Sequence, residues 1–200
     1  MKFILNGVSK ILTWVGDRMV FQALLGSLAI LYEYVICKVV FDPIPNFWYL
    51  VQSYLPKNRN RVEYNLSRLE QACQAESMLE KNNFLIACGY KYKFDGINGF
   101  PDWKPRFKRV LAVRDFSGDC DDFAIMSHWV FANKKYEGGV FAIVPYDLNL
   151  YHRMHMVYVN PYGVYSSGRI HRYNGVGWEN QLECYLNDRY KDVALVTFLT

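Results

Sequence analysis

The stretch "SGDCDDFAIMSHWVF", residues 117–131, decides how the chain is read. Gly118 lets the backbone turn without a Cβ clash, and Ser117 or Asp119 is placed to cap the amides that follow. Cys120 then falls in the first turn of a helix that continues through residues 123–132. Free N–H groups at a helix start stabilise a thiolate, the nucleophilic form of cysteine, and can also hold an oxyanion. Asp121 and Asp122 oppose the thiolate unless they turn away or are paired, while first-turn carboxylates favour the helix itself. Asp122 therefore reads as a buried cap or ion-pair partner, with Arg114 or Arg109 as the cation. Taken alone, Cys120 reads first as a packing residue. What raises it is a base brought to the same place.

The chain has four histidines, at 128, 152, 155 and 171. His128 lies eight residues along the helix, about 12 Å of rise from the thiol, and reads as packing or surface. His171 follows Gly168 in a loop-like stretch and is a weak candidate. His155 is continuous with "MVYV", residues 156–159, so a strand would fix its ring; His152, in the loop before it, is the reserve. A third group commonly orients a catalytic imidazole. "NPYG", residues 160–163, reads as a tight hairpin centred on Pro161 and Tyr162, with Gly163 free to take positive φ. Val157 then faces Ser166, and strand alternation puts His155 and Ser166 on one face. A one-residue slip would present Ser167 instead. A serine hydroxyl can hold a ring tautomer but offers no charge to an imidazolium.

Outward from this centre, helical spacing of Ile4, Val8, Ile11, Leu12 and Val15 predicts helix over residues 3–40, in two pieces with a bend near Gly16 or Gly26. "FDPIPNF", residues 41–47, predicts extended backbone before each proline. A polar helix is expected over residues 61–82, capped by Asn58 or Asn60, with Leu66, Leu69, Cys73 and Met78 on one side. "YKYKF", residues 90–94, alternates as a strand does, and residues 95–105 read as loop. Short strands follow at 140–145, 155–159 and 164–167, then a β-branched strand in "DVALVTFLT", residues 192–200. The order is α+β with segregated elements: N-terminal helices, a nucleophile-bearing central helix, then a C-terminal antiparallel β-sheet. Residues 1–85 form an N-terminal helical region expected to pack on the same domain, and residues 86–200 the core.

Composition narrows the function classes. Two hundred residues, 52% hydrophobic and 21% charged, describe a globular chain that can bury a core without metals or disulfides. A net charge of +4, with its tightest basic group at Lys104, Arg106, Lys108 and Arg109, is too small a footprint for nucleic acid. The five cysteines never form CxxC, and no histidine lies at ligand spacing from one, so zinc signatures are absent and no cofactor is expected. Asp119, Asp121 and Asp122 have no histidine close in sequence, which argues against a metal-dependent hydrolase. An odd thiol count fits a reducing compartment, and the expected location is cytoplasmic. Residues 19–41 are strongly apolar, but the longest charge-free run, Met19–Tyr32, has 14 residues, short of a bilayer span. No Ala-x-Ala exit follows, as a cleaved signal would need. The expectation is a docked helix pair, buried by the chain itself, by a protein partner or by self-association, with membrane contact as the alternative.

With these residues in view, the chain resembles the transglutaminase-like branch of the papain-type cysteine hydrolases. The resemblance spans Tyr90–Gly168 and rests on Trp103 and Pro105, "GDCDDFA" at 118–124, "HMVYV" at 155–159 and "VYSSG" at 164–168. It implies a papain-like fold in which a cysteine attacks an amide or ester carbonyl and a histidine shuttles the proton. An aspartate or asparagine on the next strand orients that histidine. Carried over, those are Cys120, His155 and the Ser166 position, where serine replaces the acid or amide; Trp103 would pack beside the site. The implied function is a thiol-dependent acyl hydrolase or transferase: a cysteine peptidase, amidase or transglutaminase-like enzyme acting on a protein or peptide. The alternative is a catalytically weak or inactive scaffold serving as a structural or interaction protein. A small aromatic-rich protein of this kind suits a bacteriophage or bacterial assembly.

Overall fold

A computed structural model describes residues 39–94, 104–132, 138–145, 155–190 and 193–198. The helices expected before residue 39, the loop with Trp103 and the reserve base His152 lie outside the described residues. The architecture is mixed helix and antiparallel sheet. Five strands run in the order β6-β5-β4-β3-β7, where β3 is Gly139–Pro145, β4 His155–Asn160, β5 Gly163–Ser166, β6 Arg169–His171 and β7 Val193–Phe198. Every neighbouring pair is antiparallel.

β4 shows how the layers are built. Val157, Tyr158, Val159 and Asn160 are all buried, so both faces of this strand are covered. Tyr158, with Val140 and Tyr165 on the same side, packs on helix α5, Cys120–Phe131, through Phe123, Met126, Val130 and Phe131. Phe131 stacks on Tyr158 with ring centroids 5.5 Å apart. The opposite parity, Val157, Val159 and Val164, packs on helix α6, Trp178–Arg189, through Leu182, Tyr185 and Leu186. Period-two alternation thus splits the core into two layers around one sheet. The side chains of His155 and Ser166 share the α6-facing parity.

The helices ahead of Cys120 close over α5. These are α1 Pro43–Tyr54, α2 Pro56–Gln74, α3 Met78–Ala87 and the short, buried α4 Lys108–Val113. Leu69 and Ala72 of α2 and Leu85 of α3 belong to the same core as Phe123 and Met126. Two expectations are corrected. Residues 43–54 are helical and not extended, because Pro43 and Pro45 occupy the first turn, where an amide N–H would have no intrahelical partner. The polar helix begins at Pro56 and not at a cap on Asn58 or Asn60. It breaks at residues 75–77, where Ala75 and Ser77 take extended ψ values of 136° and 127°.

Lys81 explains that break. Its ammonium is buried and donates to the carbonyls of Ala72 at 3.1 Å, Cys73 at 3.0 Å and Val130 at 2.5 Å. One cation therefore caps the C-terminal ends of α2 and α5 together, where carbonyls lack intrahelical donors and the helix dipoles are negative.

Candidate active site

Local sequence sets the thiol first. Cys120 is the first residue of α5, and Asp119 is its N-cap, accepting the Asp121 amide at 3.3 Å. Asp122 closes a capping box by accepting the Asp119 amide at 3.1 Å through Oδ2, while its Oδ1 takes a 3.1 Å ion pair from Arg114. The expected Arg114 partner is therefore present, and the second aspartate is committed to holding the turn. Gly118 is required by the same arrangement: a Cβ there would lie 1.7 Å from the Asp122 carboxylate. In "GDCDD" the glycine and the last aspartate are one steric unit. Parallel pairing of the two-residue strands β1, Lys91–Tyr92, and β2, Ser117–Gly118, anchors the approach from the other side. The Tyr90 hydroxyl donates to the Asp119 carbonyl at 2.6 Å.

Asp119, Asp121 and Asp122 bring carboxylate oxygens within 4.8 Å of one another. These carboxylates serve the helix start and two cations, Arg114 on Asp122 and Lys104 at 3.8 Å from Asp121. Among the described residues no disulfide joins the cysteines at 73, 88, 120 and 184, and Cys120 is half-buried.

The base comes from the sheet. Pairing of Asn160 with Gly163, Val159 with Val164 and Tyr158 with Tyr165 sets the hairpin in the expected register. His155 Nε2 and Ser166 Oγ meet at 2.5 Å. Ser167 lies instead in the next turn, at φ 47° beside Gly168 at φ 80°, a two-residue connection of the kind that joins right-twisted strands. With Nε2 engaged by Ser166, Nδ1 is the ring nitrogen left to exchange a proton. Burial drives the His155 pKa down to about 4, with the Asp119 charge opposing that shift and His171 adding to it. His155 is therefore a neutral base at physiological pH, and the negative charge acting on its ring comes from the N-cap residue next to the thiol.

Three further residues join the cluster. Tyr185 of α6 donates its hydroxyl to Ser166 Oγ at 3.1 Å, and the Tyr190 ring lies 6.2 Å from that of Tyr185. Burial raises the pKa of both phenols, and the Cys120 charge raises each further. Tyr185 and Tyr190 thus both feel the charge of Cys120, and Tyr185 also holds the serine that meets His155. The His171 ring lies 5.3 Å from that of Tyr185, with Arg189 Nη2 3.3 Å from its Nδ1. His171 is thus on strand β6 at the edge of the site and not in a loop. The "SSG" turn at 166–168 was the signal that could have placed it. Nothing in local sequence announces Tyr185 and Tyr190, which reach the site only because α6 crosses the sheet. His128 remains on the opposite face, 6.0 Å from the Tyr158 ring.

A helix-start thiol, a neutral buried imidazole and a hydroxyl chain behind it can activate a nucleophile and return a proton. Comparison of the chain with protein families, with curated proteins and with solved structures finds no match.

Proposed function

We propose that the protein is a thiol-dependent acyl hydrolase or transferase of the transglutaminase-like, papain-type kind, with a protein or peptide as substrate. The observation that carries this reading is the His155–Ser166 contact on the hairpin, coupled through Asp119 and Tyr185 to the helix start that bears Cys120. In the reaction, His155 Nδ1 takes the Cys120 proton as sulfur attacks the acyl carbon. The helix-start amides receive the oxyanion. His155 then returns the proton to the leaving amine or alcohol, leaving a thioester on Cys120. Water or an amine, deprotonated by the same imidazole, attacks the thioester and restores the thiol. Ser166, fixed by Tyr185, holds the ring in place of the usual acid or amide.

The serine also favours a second reading, a scaffold with little or no turnover. Intact-mass and peptide mass spectrometry on the chain treated with p-nitrophenyl acetate separates the two. Catalysis predicts stoichiometric acetylation of Cys120 that His155→Ala slows by about 10²-fold or more. Acetylation of Cys120 that is absent, or indifferent to His155→Ala, would leave the scaffold.

A further inference from the structure

Helix α1 carries an exposed apolar stripe. Its sequence, "PIPNFWYLVQSY", carries no charged residue. The fully buried residues of the helix are the polar Asn46 and Ser53, and Tyr49 packs beside them on Val62, Ala112 and Val113. The Asn46 side chain donates to the carbonyls of Asp42 and Lys104 and accepts the Arg106 amide. The apolar side faces outward. Ile44, Phe47, Trp48, Val51 and Tyr54 are between 41% and 71% exposed, at the spacing of one helical stripe. Val39 and Val40 extend that stripe toward the N-terminus. A continuous apolar face of this kind on a soluble surface marks a binding site.

The charges beside it indicate what it binds. The acidic residues nearest it are both paired: Asp42 is buried and faces Arg106 at 3.6 Å, and Glu63 is bound at 2.8 Å by Arg109, which lies over the Tyr54 ring. Lys57 and Arg59 are exposed where α1 gives way to α2. A second copy docked symmetrically would bring like charges together. An anionic headgroup layer would attract them, while Trp48 and Tyr54 are the amphipathic rings favoured at a membrane–water boundary.

We propose that α1 and the Val39–Val40 turn form a membrane-interface contact. The stripe enters the acyl boundary of an anionic bilayer, with Lys57 and Arg59 at the headgroups. This contact is independent of the chemistry of Cys120.

The test is flotation of the full chain with phosphatidylcholine vesicles, with and without phosphatidylglycerol. Wild-type chain should float with the anionic vesicles. The pair Phe47→Glu and Trp48→Glu should reduce the bound fraction by roughly tenfold or more, and Lys57→Gln with Arg59→Gln should erase the preference for phosphatidylglycerol. Bilayers of brominated lipid supply a second reading without a disruptive substitution: they should quench a fluorescence component that Trp48→Phe removes. Any of three results would overturn the proposal. One is no flotation of the wild type. Another is flotation or quenching unchanged by the Glu pair or by Trp48→Phe, which would assign binding to another segment. The third is a concentration-dependent dimer, abolished by the Glu pair, in a chain that ignores vesicles.

Discussion

Asp122→Ala should unfold the site from beneath without touching a reacting atom. The Asp122 side chain is 0% exposed and that of Arg114 6%, so neither end of the ion pair is relieved by water. Removing the carboxylate takes the buried counter-charge from a guanidinium that faces the Tyr49 ring at 5.4 Å, and takes away the acceptor for the Asp119 amide. Breaking one side of a buried pair costs about 3–5 kcal/mol, about a fifth or more of the ~5–15 kcal/mol that holds a domain together. For a chain of this length that is a melting-temperature loss of about 10 °C. Arg114→Leu should cost a similar amount by removing the cation that balances the buried carboxylate. The double variant, Asp122→Ala with Arg114→Leu, should then lose well under the sum, since the unbalanced charge is gone. Urea unfolding of the four proteins, followed by circular dichroism, measures the cycle. Additive losses, or single losses below about 1 kcal/mol, would refute the claim that this pair holds the helix start.

Two other substitutions probe the scaffold. Lys81→Met removes the donor shared by the carbonyls of Ala72, Cys73 and Val130, and should cost about 3 kcal/mol in urea unfolding; a loss under about 1 kcal/mol would mean the cap is ornamental. His155 gives a pH signature. Its folded pKa is lowered from 6.5 to about 4, so the unfolded chain binds the proton more readily between those values. The resulting stability is complete above pH 6.5 and drains as pH falls toward 4, by at most about 3 kcal/mol. The acid sensitivity of wild type and His155→Gln should differ within that window and match outside it, and identical profiles would contradict the burial argument.

The parts of this fold legible in sequence were those fixed by local chemistry. Gly118, Asp119 and Asp122 specify the helix start through a turn and a capping box, and "NPYG" specifies the register that joins His155 to Ser166. Tertiary contacts hid the rest. The break between α2 and α3 contains no glycine or proline and is stabilised by Lys81 binding carbonyls from two helices. The prolines of "FDPIPNF" carry an ambiguous signal, since a first helical turn accepts them as readily as an extended segment does. Tyr185 enters the site from α6 and Tyr190 from its C-cap; the amphipathic pattern of this helix is weak because it buries Gln181 and Tyr185 alongside Leu182 and Leu186. Gln181 earns that place through bonds to the backbone of Tyr173 at 3.0 and 2.7 Å.

The central claim, that His155 activates Cys120, is tested most directly by a mass-spectrometric time course of iodoacetamide alkylation, site by site, on the folded chain at neutral pH. The account predicts that Cys120 reacts far faster than Cys73, Cys88 and Cys184, and that His155→Ala slows Cys120 alone. Ser166→Ala should have a smaller effect, because the hydroxyl orients the ring and does not carry the proton. A Cys120 that alkylates no faster than buried Cys88, in both the wild type and His155→Ala, would contradict it and return the thiol to packing.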